Sequence, residues 1–184
     1  MITYRPIEAR DIPEIAALFE EHLTGGGSIS DAIKELWDKG DYSGEAALDD
    51  GKLIGFMTFC PGISFTYAHP DLEGETAKAA GGKKIAYCDA ILVLPEYREH
   101  GVAEALAKRS VDLLVSKGYE FLLAEIWVYP DGTAPAKNTF ESMGKAVYKK
   151  EVNDFYRDLD KHGMWCPVCG NKCFCGAWVE IMEL

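Results

Sequence analysis

Arg98-Glu99-His100-Gly101-Val102-Ala103 lies between an apolar run, Ala90 to Leu94, and an amphipathic stretch that starts at Val102, and no other segment constrains the fold as much. An apolar strand that gives way to a helix leaves the helix's first backbone N–H groups unpaired, at the positive end of its dipole. Gly101 lets the chain bend and approach a ligand, and Ala103 keeps the first helical turn free of bulk. Such an end suits a pyrophosphate. The spacing is neither the dinucleotide fingerprint, with three small residues as Gly-x-Gly-x-x-Gly, nor a phosphate loop closing on Gly-Lys-Ser/Thr. Taken alone, the six residues also read as an ordinary helix start with a chance glycine.

Bulk properties narrow the class. A chain of 184 residues with 48% hydrophobic content supports one domain, residues 1–184, with a substantial core. No apolar run reaches the length of a membrane span, and Met-Ile-Thr-Tyr-Arg-Pro has neither the basic nor the apolar region of a secretory leader. A cytoplasmic protein without membrane partners is expected. The net charge of −11, from 30 acidic against 19 basic residues, argues against nucleic acid, whose binding rests on Lys and Arg at phosphates. It suits a cationic partner such as an amine, or simply keeps the protein in solution.

Along the chain, Ile2 to Arg5 alternates as a strand, and Asp11 reads as the N-cap of a helix whose apolar face is Ile12, Ile15, Ala16, Phe19 and Leu23. Gly25-Gly26-Gly27-Ser28 breaks it, and Ser30 reads as the cap of a second helix. Glu45 to Leu48 and Leu53 to Phe59 are predicted as antiparallel strands joined by a hairpin at Asp49-Asp50-Gly51-Lys52. Pro61 to Lys84 reads as a long, polar connection. Ile85 to Leu94 and Phe121 to Val128 are strands flanking the helix from Val102 to Gly118.

Arg-x-x-Gly-x-Ala after a strand ending Val-Leu-Pro-Glu-Tyr resembles the acyl-CoA signature of the GNAT superfamily of N-acetyltransferases. The order of elements, strand, two helices, three strands, helix, strand, helix, strand pair, extends the likeness over nearly the whole chain. The resemblance implies an α/β (mixed α+β) fold, with a mostly antiparallel central sheet flanked by helices and two parallel strands that splay to admit acetyl-CoA. In that frame the N–H groups of Arg98, Glu99, His100, Gly101, Val102 and Ala103 hold the pyrophosphate. The backbone of Ile91, Leu92 and Val93 pairs with pantetheine, and an N–H near Leu92 or Val93 supports the oxyanion. Glu99 departs from the family's usual Gly or basic residue and brings a carboxylate toward an anion.

The resemblance implies transfer of an acetyl group to a primary amine by direct attack, with a carboxylate near the pantetheine strand to deprotonate the acceptor. Asp89 is the first candidate and Glu125, on the opposing strand, the second. Tyr87 stands where some members carry a catalytic Glu. Strict alternation puts Asp89 on one face with Tyr87, Ile91 and Val93. Asp89 reads equally as a strand-edge residue holding a backbone N–H or a lysine. The segment Thr133 to Lys145 aligns with the family's next helix, with Phe140 at the position of the tyrosine that often protonates the CoA thiolate. A water, Tyr129 or Tyr148 then replaces that acid. The Gly25 to Ser30 loop, Ser64 to His69 and Trp127 are expected to wall a pocket for a small-molecule or peptide amine.

Cys166-Pro167-Val168-Cys169-Gly170 is a thiolate knuckle, and with Cys173 and Cys175 it offers four ligands to a tetrahedral, structural zinc. His162 is an alternative ligand, and disulfides compete with metal. The residue 162–176 cluster falls between the last two predicted strands, apart from the cofactor. Two readings follow: an N-acetyltransferase, acting as monomer or homodimer, or a non-catalytic acyl-CoA-binding or protein-interaction module that docks through the cysteine hairpin.

Overall fold

The computed structural model describes all residues except 25–28, 66–68 and 171. Strands β1 (Ile2–Pro6), β2 (Ser43–Asp49), β3 (Lys52–Pro61), β4 (Ile85–Val93), β5 (Phe121–Val128), β6 (Lys145–Val152) and β7 (Gly176–Glu183) form one seven-stranded sheet in the order β1-β2-β3-β4-β5-β7-β6. All neighbours are antiparallel except β4 and β5. Helices α1 (Ile12–Phe19), α2 (Ser30–Lys39), α3 (Pro70–Ala80), α4 (Val102–Ser116) and α5 (Lys137–Glu141) flank it. This is the mixed α/β architecture that the resemblance implies. Among the described residues, no helix is long and apolar enough to cross a membrane.

The β2–β3 hairpin closes through Asp50 (φ 49°) and Gly51 (φ 85°), the two successive positive φ values of a tight turn. Helix α2 starts at Ser30 without a side-chain cap from that residue. Instead Glu20 Oε1 accepts from the N–H of Ile29 at 2.9 Å and of Ser30 at 3.3 Å, doing the capping across a sequence gap. Asp11 does not cap α1 with its side chain but closes a capping box with Glu8 on the 3-10 turn Ala9–Asp11 that precedes it. It accepts from the Glu8 N–H at 2.7 Å and from both ends of the Arg5 guanidinium at 2.6 and 2.8 Å.

Two expectations need correction. The Pro61 to Lys84 connection contains α3, whose buried face is only Leu72, Thr76 and Ala80, one residue per turn. A stripe that narrow in a polar, glycine-containing sequence gives little helical periodicity. Conversely, the Thr133 to Lys145 helix shrinks to α5, five residues long. An Asp131 turn, accepting from the Thr133 N–H at 2.9 Å and hydroxyl at 2.7 Å, and Pro135 delay its start.

Apolar packing falls into two clusters. The larger spans β2, β3, most of β4, α1 and the inner face of α4, with Phe56, Phe59, Leu106 and Leu114 fully enclosed. The smaller joins Tyr87 and Leu123 to β7 and to the connection between β6 and β7, including Phe155, Tyr156, Cys166, Cys173 and Cys175.

Candidate active site

The parallel pairing of β4 with β5 covers only Ile85↔Phe121, Ala86↔Leu122 and Tyr87↔Leu123. On its other edge β4 pairs Thr58↔Ala90 and Phe59↔Cys88, which leaves Asp89 as an extra, unmatched residue. Such a bulge bends and twists its strand. It lies two residues past the last parallel rung, where β4 and β5 part. The unpaired edges of β4 and β5 beyond this kink border the candidate cleft.

The bulge also revises the side-chain alternation. Across β3, Tyr87 pairs with Cys60 and Ala90 with Thr58, while Ile91 pairs with Met57, on the opposite face. Asp89 reaches Thr58 Oγ1 at 3.5 Å and so sides with Tyr87 and Ala90, not with Ile91 and Val93. One extra residue flips the pattern.

Beyond the bulge, the Leu94 N–H donates to Ile54 O at 2.9 Å. Because antiparallel amides point alternately to the two edges, Leu92 also turns its N–H to β3, and Ile91 and Val93 turn theirs to the open cleft. Val93 O, on that edge, accepts from Arg98 Nε at 3.0 Å.

Pro95–Tyr97 forms one 3-10 turn, and the Tyr97 hydroxyl donates to Asp49 Oδ2 at 3.2 Å, fastening the turn to the end of β2. Glu99 (φ 62°) and Gly101 (φ 78°) both take left-handed backbone before α4 begins at Val102. Among the described residues, no backbone acceptor engages the N–H groups of Glu99, His100, Gly101, Val102 or Ala103. Arg98, Glu99, His100 and Gly101 are exposed, and a Cβ on Gly101 would meet nothing within 4 Å. A run of open amides in a turn of this kind is an anion cradle. Val102 and Leu106 hold it on the main core.

Asp89 is the carboxylate nearest the kink. Part of the residue still meets solvent, yet its carboxyl group is deep among neighbours, and this burial raises its pKa to about 6. Hydrogen bonds from Tyr42, at 2.9 Å, and Thr58 oppose the shift by favouring the charged form. A carboxylate so tuned is ionised at neutral pH and still basic enough to accept a proton. Cys60, half-buried beside it, is pushed up to about 12 by burial and by the charges of Asp89 and Asp41, and therefore stays a thiol. Neither partner of Asp89 was legible in the sequence.

Glu125 lies on β5 past the split, paired with Val179, and the Tyr156 hydroxyl sits 3.5 Å from its Oε2. Phe140 is buried in the main core. Tyr148 lies on the outermost strand, β6, and donates to Glu75 Oε2 at 2.6 Å, away from the cleft. Tyr129, one residue past β5, lies within electrostatic reach of Arg98. Trp127 stacks on Tyr156 with centroids 4.4 Å apart. Of the other expected pocket walls, residues 25–28 and 66–68 lie outside the described residues, and His69 stacks on Phe155 at 4.5 Å.

The four sulfurs of Cys166, Cys169, Cys173 and Cys175 lie within 4.8 Å of one another, with Cys166–Cys175 at 3.8 Å and Cys169–Cys175 at 3.6 Å. Zinc–sulfur bonds of about 2.3 Å in a tetrahedron give sulfur–sulfur edges of about 3.8 Å. All six cysteines are free of disulfide bonds. The Val168 and Cys169 N–H groups donate to Cys166 Sγ at 3.4 and 3.2 Å, and the Cys175 N–H to Cys173 Sγ at 3.4 Å, the outer-shell contacts that favour thiolates. The residues fit a closed tetrathiolate centre. His162 is not in the group. The cluster adjoins β5: burial pushes the Cys175 thiol up to about 12, and the nearby Trp127 indole N–H works against that rise without completing a hydrogen bond.

The model of the acetyltransferase (GNAT) family matches residues 12–144, from α1 to the end of the α5 segment. The chain belongs to the GNAT family. No curated protein sequence matches it. Its fold is similar to that of Arabidopsis thaliana NAA60 in complex with acetyl-CoA, at TM-score 0.68 and 18% identity, covering 100% of this chain and 99% of that one. It is likewise similar to the NatC complex bound to Gag peptide and CoA, at TM-score 0.67 and 18% identity, covering 100% and 98%. A GNAT phosphinothricin acetyltransferase from Sinorhizobium meliloti in complex with acetyl-CoA gives TM-score 0.62 and 16% identity, covering 100% and 88%. The cysteine hairpin lies wholly outside the family match.

Proposed function

We propose that this protein transfers an acetyl group from acetyl-CoA to a primary amine, by direct attack with both substrates bound. The observation that carries the reading is the open amide cradle at residues 99–103 beside the cleft bordered by β4 and β5 beyond the Asp89 bulge. The cradle and Arg98 bind the pyrophosphate, and the cleft-facing backbone of Ile91 takes the pantetheine arm as an additional strand partner. Bound acetyl-CoA supplies an activated thioester.

Asp89 removes the proton from the acceptor ammonium, its carboxylate held by Tyr42 and Thr58. The Val93 N–H, aimed into the cleft, stabilises the developing oxyanion. Tyr129 gives a proton to the departing sulfur, the role that buried Phe140 lacks the chemistry for. Cys60, held protonated, does not form an acyl-enzyme, which supports direct transfer over a two-step route. Glu125 and Trp127 line the acceptor side. The peptide in the NatC neighbour supports a peptide amine among the acceptors. The four thiolates hold a structural zinc, supported by their tetrahedral spacing.

Phe140 favours a second reading, a GNAT module that binds acyl-CoA without turnover. Calorimetry of CoA binding, together with thiol release across a panel of small-molecule and peptide amines, tests both. Binding with turnover on an amine supports transfer, and binding without turnover on any amine supports the module. Failure to bind CoA sinks both.

A further inference from the structure

We infer that the metal holds the acceptor wall of the cleft in shape independently of the CoA cradle, so that zinc occupancy orders one side of the site and leaves the other alone. The inference rests on the zinc reading above. The connection between β6 and β7 has little regular structure of its own: one 3-10 turn at Leu159–His162 and an isolated bridge, Cys166↔Gly170. It nevertheless makes contacts to β5 and to the turn that follows α1. Tyr156 stacks on Trp127 and reaches Glu125 on the β5 side. The Trp165 N–H donates to Thr24 O at 2.9 Å, at the end of the turn that follows α1.

Each of these contacts adjoins the backbone of a ligand residue. Trp165 immediately precedes Cys166, and the Tyr156 N–H donates to the Cys175 carbonyl at 3.3 Å. Cys166 and Cys175 are therefore the two points through which the wall is fixed, and a common ion locks them together. Without it, the connection is ordered by local turn hydrogen bonds and its own small apolar cluster, which must offset the entropy of fixing an irregular chain. Ligation converts metal affinity into local folding free energy.

The two apolar clusters explain why the cradle is spared. Cys166, Cys173, Cys175, Phe155 and Tyr156 belong to the smaller cluster, whereas Val102 and Leu106 beneath the cradle belong to the larger. Regions with separate cores open separately. Trp165, Val168 and Phe174 also leave large apolar surface exposed on the hairpin, at 47%, 48% and 54%. That surface is usable for contact only while the hairpin keeps its shape.

The test uses the full chain, first with its metal and then after chelation. Metal analysis and the absorption spectrum of the cobalt-substituted protein read the site itself: one ion per chain with tetrahedral thiolate bands is expected. Hydrogen exchange then compares the two forms. Exchange should rise at least tenfold in residues 153–175, and also rise in Glu20–Thr24 and 125–129, while peptides covering 94–110 stay unchanged and the CoA Kd holds within twofold. Cys173→Ser and Cys169→Ser should reproduce this pattern, and chelation of the unaltered chain keeps the test informative if either variant misfolds. Absence of bound metal, or octahedral cobalt, overturns the zinc reading and the inference with it. A tetrahedral ion whose removal leaves 20–24 and 125–129 unchanged overturns the inference alone. So does a CoA Kd that rises in step with metal loss.

Discussion

The Tyr42 hydroxyl, on a buried side chain, donates to Asp89 Oδ2 at 2.9 Å across 47 residues of sequence. Burial raises the Asp89 pKa to about 6, and this donor works against the rise. With Asp89 as base, kcat/KM should increase with pH through an apparent pKa near 6 and level off above it. Tyr42→Phe removes a bond to the charged form and should move that limb upward. Asp89→Asn should lower kcat by about 100-fold or more and abolish the limb. A pH–rate profile that keeps its acidic limb in Asp89→Asn assigns the limb elsewhere.

The same carboxylate carries a stability signature of opposite sense to most acids. Its folded pKa lies above its unfolded value of 3.8, so its contribution is fully present below that value and is lost as pH rises through about 6. At pH 8 the fold bears the cost of a desolvated charge. Asp89→Asn should therefore raise stability at pH 8, by about 3 kcal/mol, and have little effect at pH 3.5. Urea denaturation at the two pH values measures the difference.

Cys60 lies beside Asp89 but is held as a thiol. Cys60→Ala should retain kcat within about threefold, the loss of a half-buried sulfur being a packing effect. Loss of all turnover with trapped acyl-enzyme in the unaltered protein would instead identify a two-step route.

Gly101 tolerates a side chain in space but not in conformation, since its φ is 78° and a Cβ there meets nothing within 4 Å. Gly101→Val should strain the cradle by about 1–2 kcal/mol and weaken CoA binding about tenfold. Gly81→Val, at φ 59° after α3, provides the control: similar strain with an unchanged CoA Kd in calorimetry.

Glu45, buried on β2, is paired with Arg109 of α4 at 2.7 Å. Arg109→Ala leaves that buried carboxylate without its cation, and because the arginine itself is partly in solvent the loss should be about 1–2 kcal/mol in chemical denaturation. The double variant Glu45→Gln/Arg109→Ala should recover part of the loss, which separates charge burial from packing.

Features carried by local chemistry were legible in the sequence. The Asp50-Gly51 turn, the Gly101 bend and the Cys-Pro-Val-Cys-Gly knuckle each need particular residues at adjacent positions, and each is found where the pattern put it. What escaped depends on pairing between distant segments. The Asp89 bulge exists only relative to the register of β3, so alternation read along β4 alone groups it rightly with Tyr87 and wrongly with Ile91 and Val93. Glu20 capping α2, Tyr42 bonding Asp89 and Tyr156 stacking on Trp127 leave no local trace either. In α3 the apolar stripe was too narrow to stand out from its polar surroundings.

The separation of β4 from β5 after three rungs has an evolutionary corollary. An opening bordered by peptide groups offers the same donors and acceptors whatever side chains adorn it, provided the kink and the first rungs persist. Sequence drift can thus rewrite nearly every residue around such a slot without erasing it, and chains sharing under a fifth of their residues can still present the same edge to a visiting molecule.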